Sequence, residues 1–370
     1  MPEPAALRRD SACEAGSSAA PENRVQHLRE RVNNALAELE LREEPALLYD
    51  PVRYVLGGDG KRLRPVLLLL AAEVFGAETE DALPAALAVE AFHNFTLVHD
   101  DVMDHAEERR GRPAVHRRWD TGTALLAGDL LLVRAYDLLA EAAAGAETDL
   151  AALMRPFRRM ARRLCEGQAL DKTFETREAV SVEEYLDMID GKTGALLSAT
   201  LELGGLCGDA APARAEALRK AGAALGRAFQ IQDDLLDLTA DSERWGKPVG
   251  GDLREGKKTF LLVRARERAA EDDAAEDDAE DARALFERAA ESGLASGEID
   301  EARRRMARLG VLSDARRAVA RYTEAATAHL DRALPGETGD PEDGRAEDGR
   351  ARGAAGTLRW LIGKMQARLH

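Results

Sequence analysis

The feature that most constrains this chain is an Asp-Asp-x-x-Asp pentad that occurs twice, at residues 100–104 and 233–237. Each copy follows a mostly apolar run of residues that suits a helix. On a helix, residues four positions apart share a face, so Asp100 and Asp104 project side by side, one turn apart. The second copy has the same spacing. The sequence therefore predicts two pairs of carboxylates, each pair on one face of a helix.

These carboxylate pairs need a partner, because acidic side chains on an apolar helix are costly to bury alone. Mg²⁺ is a suitable partner, since it takes oxygen ligands and keeps water and substrate phosphates in its coordination shell. A single pentad also suits a solvated helix end. Two copies in one domain, however, could face each other across a cavity and hold a cluster of Mg²⁺ ions. A diphosphate would then be the simplest remaining ligand.

The composition favours helix over sheet. Apolar residues make up 45% of the 370 residues but aromatic residues only 4%, and Ala, Leu, Arg and Glu are frequent. The net charge of −16 argues against non-specific nucleic-acid binding. No apolar stretch reaches the length of a membrane span, and the N-terminus lacks a hydrophobic signal region. We therefore predict an all-α, cytoplasmic protein that neither spans a membrane nor binds nucleic acid.

Composition shifts predict four regions. Residues 1–23 lack periodicity and are predicted to form a disordered tail. Residues 24–334 carry the amphipathic patterns of one helical domain, in which one helix is predicted over 149–169. Residues 335–356 are acidic and rich in Gly, so we predict a disordered linker. Residues 357–370 are predicted to be a C-terminal helix that packs on the same domain.

Basic clusters lie beside the predicted turns. The glycine-rich residues 57–60 precede Lys61 and Arg64, and Pro65 suits the first turn of the next helix. Glycines, cations and helix-start amides together favour an anion site, although a solvated basic turn has the same composition. A second cluster, residues 109–113, begins five residues after the first pentad, where its arginines suit the free oxygens of a diphosphate.

Two further stretches contain both Gly and Lys. The sequence Gly-Lys-Thr-Gly at 191–194 interrupts a helical pattern that begins with capping-box spacing at Ser181 and Glu184. Glycines there permit a kink or a close approach, so Lys192 could point into the cavity or stay solvated. Residues 244–259 follow the second pentad, where they could fold over it as a lid.

Taken together, these motifs resemble those of the trans-isoprenyl diphosphate synthases. The two pentads, the first followed by Arg-Arg-Gly at 109–111, resemble the family's two aspartate-rich motifs. Four further stretches agree in type, order and spacing, at 60–65, 191–193, 229–230 and 246–259. The resemblance covers roughly residues 24–334.

This resemblance implies a bundle of long helices around a deep central cavity, usually assembled as a homodimer. It implies Mg²⁺-dependent, head-to-tail condensation of isopentenyl diphosphate with an allylic diphosphate, with release of diphosphate. Three Mg²⁺ ions would be expected, with Mn²⁺ as a possible substitute.

The resemblance also assigns roles to individual residues. The expected metal ligands are Asp100, Asp104, Asp233 and Asp237, the last directly or through water. Asp101 and Asp234 would support them, and these two with Asp100, Asp104, Asp233 and Lys192 make up the expected catalytic set. The allylic diphosphate would be held by Arg109, Lys192, Thr193, Gln230, Lys247 and Lys257. Isopentenyl diphosphate would be held by Lys61, Arg64, His93 and Arg110.

The length of the product should depend on residues deeper on the helix of the first pentad. Phe95 and Thr96 lie about one turn, or ~7 Å, before Asp100, and Phe92 lies two turns before it. A bulky ring at position 95 beside a small Thr96 resembles synthases of the twenty-carbon product, so we predict geranylgeranyl diphosphate. A farnesyl or longer polyprenyl diphosphate synthase is the alternative.

Two related classes of protein share part of this motif pattern. A class I terpene cyclase of related fold would keep one aspartate-rich motif and replace the second with an Asn/Ser/Glu triad, which residues 233–237 do not match. A non-catalytic subunit of a heteromeric synthase should have lost aspartates or cationic ligands, and here none is missing. Both classes are disfavoured by the same residues that support a synthase.

Overall fold

The computed structural model describes residues 20–145, 148–240, 249–271, 276–334 and 349–367. Nearly all of this part of the chain is helical, which confirms the all-α prediction. The helices are α1 (Pro21–Ala37), α2 (Ala46–Leu56), α3 (Leu63–Val74), α4 (Thr79–Met103), α5 (Val115–Arg118), α6 (Thr121–Gly145), α7 (Leu150–Thr176), α8 (Val182–Ile189), α9 (Ala195–Cys207), α10 (Pro212–Thr239), α11 (Gly251–Arg254), α12 (Phe260–Glu271), α13 (Glu276–Ser292), α14 (Ile299–Arg308), α15 (Val311–Ala333) and α16 (Gly349–Ala367).

Two of these junctions are not α-helical. A π-helical turn, Asp190–Gly194, joins α8 directly to α9, and a 3₁₀ turn, Ser296–Glu298, precedes α14. Between α4 and α5 the chain forms a small antiparallel hairpin of β1 (Glu108–Arg109) and β2 (Arg112–Pro113). Arg110 and Gly111 between the strands both have positive φ, as a two-residue hairpin turn requires.

The helices that carry the pentads are brought together by α9. Helix α4 packs along α6 and α3, and α10 packs along α9 and α15. Helix α9 also contacts α3 and α4, so it lies between the two pentad helices. Each pentad occupies the carboxyl-terminal end of its helix.

The apolar core forms two clusters. The larger cluster contains the buried side chains of α3, α4, α6 and α9, such as Leu68, Val89 and Leu131. The second contains the carboxyl-terminal part of α10 with α12 to α15, such as Ile231, Leu262 and Met306. Among the described helices, none is long and apolar enough to cross a membrane.

The predicted N-terminal tail is too long by three residues. Helix α1 begins at Pro21, where proline is well suited to the first helical turn, rather than at Arg24. Its Leu28 and Val32 are buried in the larger core cluster. The rest of the predicted tail, residues 1–19, lies outside the described residues.

The predicted boundary between linker and C-terminal helix, at residue 357, is wrong. Residues 335–348 lie outside the described residues, but 349–356 already belong to α16. Low apolar content suggested a linker there, yet Ala351, Ala354 and Ala355 are buried and continue one face with Leu358. Alanine needs little area to pack closely, and α16 lies against α3 and α1.

Close contact between α3 and α9 depends on a glycine. A Cβ atom on Gly204 would lie 2.4 Å from the carbonyl oxygen of Leu68, which is backbone and cannot move aside. We expect Gly204→Ala to lower the free energy of unfolding by about 1–3 kcal/mol through overpacking, measured by urea denaturation.

Gly363→Ala is the matched control, because nothing lies within 4 Å of a Cβ at that helical position. It should raise the stability by up to about 1 kcal/mol through better helix propensity. Equal effects of the two substitutions would show that the α3–α9 contact does not depend on Gly204.

Candidate active site

Residues of both pentads line one cavity of about 670 Å³, called here the carboxylate cavity. Asp104 lines it from the end of α4, and Asp233 and Asp234 line it from the end of α10. Asp100 is half-buried one turn before Asp104. The cavity is also lined by Lys192, Thr193, Gln230, Asp171, Lys172, Asp252 and Lys257.

The carboxylates at this cavity repel one another. Burial, with a smaller contribution from Asp104, raises the pKa of Asp100 to about 6, although Lys192 opposes the shift. Burial likewise raises the pKa of Asp252 to about 6, with contributions from Asp237 and Asp233. Carboxylates that are this hard to ionise favour a cationic ligand between them.

The second aspartate of each pentad has a different environment. Asp101 is only 3% exposed, and it accepts hydrogen bonds from Arg109, one of them from Nε at 2.8 Å. Asp234 is 5% exposed and accepts hydrogen bonds from the Tyr185 hydroxyl at 2.6 Å and from the Phe260 N–H at 2.9 Å. These two carboxylates anchor the helix ends to neighbouring elements.

The π-helical turn presents Lys192 and Thr193 to the cavity. Lys192 Nζ lies 2.5 Å from Asp171 Oδ2 on α7, and the Thr193 hydroxyl donates to Gln230 Oε1 at 3.0 Å. The turn reaches this position because its backbone almost touches α7. A Cβ on Gly167 would lie 2.3 Å from the backbone nitrogen of Lys192. The predicted kink is thus a π turn, a feature often found at functional sites.

The predicted lid is described only from residue 249 onward, so Lys247 lies outside the described residues. Asp237 Oδ2 accepts a hydrogen bond from the Asp252 N–H at 3.1 Å, which ties the start of this segment to the second pentad. Lys257 lines the carboxylate cavity while its ammonium lies 2.7 Å from Glu255. A salt bridge this exposed is weak, so Lys257 is available to a bound anion.

A second cavity, of about 1020 Å³, is lined by the residues predicted to bind isopentenyl diphosphate and is called here the cationic cavity. It is lined by Lys61 and Arg64 before and within the first turn of α3, by His93 on α4 and by Arg110 from the hairpin. A Cβ on Gly60 would lie 3.0 Å from Arg110 Nη1, so a side chain at that position would crowd the guanidinium.

Within the cationic cavity, Arg64 and His93 form a pair. Arg64 Nη1 donates to His93 Nε2 across 3.1 Å. Burial and then the charge of Arg64 lower the pKa of His93 well below its usual value, so the imidazole is neutral. Arg64 Nε is buried and has no hydrogen-bond partner in the described part of the chain. This unsatisfied donor fits a site that binds an oxyanion.

Arg62, between the two predicted ligands, is structural. Its Nη1 donates to Glu90 at 2.6 Å, and its Nη2 donates to the carbonyl oxygens of Leu56 and Gly58. Both partners of the Arg62–Glu90 pair are buried. The pair therefore fixes the turn that places Lys61 and Arg64, rather than offering a charge to the cavity.

Below Asp100, the predicted length-determining residues lie in a set of packed aromatic rings. Phe92 packs edge-on against Phe95 and against Phe157 of α7, with both centroid distances at 5.3 Å. Phe157 in turn contacts Tyr136 of α6. Thr96 is buried, and its hydroxyl donates to the carbonyl oxygen of His93 at 2.8 Å.

Several residues of the site were missed by the sequence analysis. Asp171 was missed because α7 continues to Thr176, beyond the predicted end near Ala169. Asp252 had a weak signal, since it follows two glycines in the segment predicted to be a lid. Tyr185 had none, because an aromatic residue on an amphipathic helix is typical of a core position.

The donor chemistry of the carboxylate cavity suits a hard divalent cation. Asp100, Asp104, Asp233 and Asp237 supply only oxygen atoms, as Mg²⁺ prefers. Over the described ranges, no group of three acidic, His or Cys side chains lies close enough to hold a metal ion unaided. A cation would thus need further oxygen atoms, which a diphosphate can supply.

Comparison with known proteins identifies the class. The sequence profile of the polyprenyl synthetase family matches residues 45–291. A geranylgeranyl diphosphate synthase of Methanosarcina mazei is 43% identical over 251 residues, which cover 68% of this chain and 76% of that protein. A geranylfarnesyl diphosphate synthase of Natronomonas pharaonis is 42% identical over 262 residues, covering 66% and 76%.

A solved structure gives the same result. The geranylgeranyl pyrophosphate synthetase of Pyrococcus horikoshii superposes with a TM-score of 0.78 and 34% identity, covering 93% of this chain and 98% of that one. The chain is therefore a prenyltransferase of the all-α isoprenoid synthase fold. More particularly, it belongs to the polyprenyl synthetase family.

Proposed function

We propose that this prenyltransferase condenses isopentenyl diphosphate head-to-tail with an allylic diphosphate and releases diphosphate. The observation that carries the proposal is the pair of cavities that meet α4. One is lined by two acidic motifs with Lys192 and Lys257, and the other by Lys61, Arg64 and Arg110. Two substrates that each carry a diphosphate need two such sites.

The allylic diphosphate binds in the carboxylate cavity. It is held by Lys192 and Thr193 from the π turn, by Gln230 from α10 and by Lys257 from the lid segment. For Arg109, which donates to Asp101 from the hairpin, and for Lys247, which lies outside the described residues, the same role rests on the resemblance alone. Asp100, Asp104, Asp233 and Asp237 would hold Mg²⁺, with three ions expected. Mg²⁺ bound there would neutralise the charge of the leaving diphosphate.

Isopentenyl diphosphate binds in the cationic cavity. Lys61, Arg64 and Arg110 are cations suited to its diphosphate, and the neutral His93 is held in place by Arg64. Because the two diphosphates occupy separate cavities, their like charges are kept apart while the carbon ends meet beside α4.

The chemistry follows from this placement. The bond between C1 of the allylic substrate and its diphosphate oxygen breaks, which leaves an allylic cation. The isopentenyl double bond attacks C1, and loss of a proton gives a product longer by five carbons. The departing diphosphate, still held by Lys192 and Lys257, accepts that proton. The rings of Phe92 and Phe95 keep water from the cation.

Incubation with Mg²⁺, isopentenyl diphosphate and each allylic primer tests the proposal, with chromatography of the dephosphorylated alcohols. We expect Asp104→Asn to lower kcat by about 100-fold or more, because Asp104 would hold a Mg²⁺ ion that neutralises charge on the reacting diphosphate. Chelation of divalent cations should abolish turnover of the unmodified protein.

Asp300→Asn is the control, because that carboxylate is exposed on α14 and pairs with Arg303 one turn away. Its activity should stay within about twofold of the unmodified protein, as surface pairs contribute little. Unmodified protein that forms no prenyl product with any primer would refute the proposal.

We further propose geranylgeranyl diphosphate as the product. The ring of Phe95 packs against Phe92, which packs against Phe157, and we infer that these rings stop growth at a twenty-carbon chain. The relatives named above are synthases of geranylgeranyl and of geranylfarnesyl diphosphate at almost equal identity, so the ring positions rather than overall similarity support this choice.

Phe95→Ala should lengthen the product by at least one five-carbon unit, because removing the ring opens space below Asp100. The alcohols are compared by chain length at equal total turnover. Leu47→Ala, an exposed apolar side chain on α2, serves as the control and should leave the product unchanged. An unaltered distribution in Phe95→Ala would place the limit of chain growth elsewhere.

We also propose that the enzyme is a homodimer. Helix α6 leaves an apolar stripe exposed, with Leu126 at 52% and Val133 at 54% exposure and the half-buried Leu130 between them. Their i, i+4, i+7 spacing gives one continuous face. Exposed apolar faces of this kind mark interaction surfaces, and a twofold axis would pair the stripe with its own copy.

Replacing both Leu126 and Val133 with Glu should convert the dimer into a monomer, because like charges would then face each other across the twofold axis. Light scattering after size exclusion should change from about twice the chain mass of 40.1 kDa to a single chain. Leu47→Glu, at the 59% exposed Leu47, is the matched control and should leave the dimer intact. A monomeric unmodified protein would refute the dimer.

A further inference from the structure

A chain of hydrogen bonds runs along the wall of the carboxylate cavity. The Tyr185 hydroxyl donates to Asp234 Oδ2 at 2.6 Å, and Gln230 Nε2 donates to Asp234 Oδ1 at 3.2 Å. The Thr193 hydroxyl completes the chain by donating to Gln230 Oε1 at 3.0 Å. No sequence motif marks Tyr185 as functional, and no step of the proposed reaction uses it.

Both ends of this chain belong to the same helical segment. Tyr185 lies on α8, which continues without a break into the π turn that carries Thr193. Asp234 is therefore bound twice by this segment, directly by Tyr185 and through Gln230 by Thr193. This double contact sets the position of the π turn relative to the second pentad.

The same carboxylate also contacts Phe260, the residue that directly follows the lid segment. Asp234 Oδ2 accepts the backbone N–H of Phe260, and the Phe260 ring packs edge-on against Tyr185 with centroids 6.0 Å apart. Two residues before Phe260, Lys258 Nζ donates to carbonyl oxygens of Glu175 and Ala290, near the ends of α7 and α13. A cation there is favoured by both helix ends.

The elements joined at Asp234 are those that hold the allylic diphosphate in the proposed function. Lys192 and Thr193 come from the π turn, Asp233 and Asp237 from the second pentad, and Lys257 from the segment that Phe260 and Lys258 anchor. Tyr185 and Asp234 are both buried, so their hydrogen bond is not replaced by water.

We propose that Tyr185 is a positioning residue for the allylic diphosphate site, acting through Asp234. Its hydroxyl fixes the rotamer of the Asp234 carboxylate. Asp234 in turn aligns the second pentad with Lys192 and Thr193. Small errors in such alignment lower the reaction rate, because the reacting groups must be held within about 0.5 Å of the productive geometry. This inference rests on the proposed function for its kinetic consequences.

Tyr185→Phe is the decisive variant, because it removes only the hydroxyl and keeps the ring that packs on Phe260. We expect kcat to fall about tenfold, as the loss of one buried hydrogen bond implies. The KM for isopentenyl diphosphate should stay within twofold, since the cationic cavity is untouched. A merely structural role would lower the melting temperature without this separation of kcat from KM.

Tyr49→Phe is the control, because Tyr49 lies on α2, away from both cavities, and should behave as the unmodified protein. A kcat for Tyr185→Phe within twofold of that control would overturn the inference. So would an equal rise in the KM of both substrates with an unchanged kcat.

The other end of the chain offers a second test, whose single variants do not depend on the folding of Tyr185→Phe. Thr193→Val keeps the shape and removes the hydroxyl, and it should lower kcat as Tyr185→Phe does. Thr193→Ser keeps the hydroxyl and should restore most of the rate. In the double variant Tyr185→Phe/Thr193→Val, the loss should be well below the product of the single losses. Equal rates for Thr193→Val and Thr193→Ser, or independent losses, would refute a connected chain.

Calorimetric titration with inorganic diphosphate and Mg²⁺ separates this inference from the proposed function. We expect Tyr185→Phe to bind several-fold more weakly than the unmodified protein. Binding of equal strength would overturn the positioning role even if the enzyme is active. Unmodified protein that binds diphosphate but forms no prenyl product would refute the proposed reaction, and the titration would still decide the role of Tyr185.

Discussion

Burial of neighbouring carboxylates is the constraint on which this structure depends. Burial and, to a smaller extent, Asp104 raise the pKa of Asp100. Burial and Asp237 raise the pKa of Asp252. Like charges in a poorly solvated site destabilise the fold unless something of opposite charge lies between them. The nearest lysines balance them only in part, since Lys192 is paired with Asp171 and Lys257 with Glu255. The site is therefore built to be completed by cations and by an anion that the cations hold.

The spacing of the pentad directs its aspartates to two different faces of the helix. Its first and last aspartates lie on one helical face, while the second is rotated by about 100° toward the interior. In both copies that second residue is the buried one, Asp101 bound to Arg109 and Asp234 bound to Tyr185. One short motif thus provides a pair of carboxylates on one helical face and the anchor that keeps the pair in place.

Local chemistry could be predicted from the sequence, and long-range contacts could not. Helix class, the carboxylate pairs and the cations at Lys61 and Arg64 follow from patterns within a few residues. The contact between Tyr185 and Asp234 joins residues 49 positions apart, and no local pattern records it. The π turn was predicted only as a kink, because its cause is the backbone contact of Gly191 with Gly167 on another helix.

The linker predicted over 335–356 is wrong at residues 349–356 for a related reason. Its composition is that of a solvated segment, but Ala354 and Leu358 find a groove on α3 and α1 that only the folded chain creates. Burial of a helical face stabilises a segment more than its propensity or mean hydropathy indicates. Boundaries that depend on docking are therefore the least predictable part of the fold.

In the proposed reaction, the two ends of helix α4 have different roles. Its last turn carries Asp100, whose ionisation is affected by the charges of Lys192 and Asp104. The preceding turns carry Phe92 and Phe95, which make ring contacts with Phe157 and His99. Apolar side chains can be exchanged for others of different size without leaving a buried polar group unsatisfied, so such positions tolerate substitution. On the proposed assignment, product length can therefore change by substitution at Phe92 and Phe95 without altering the charged end of α4.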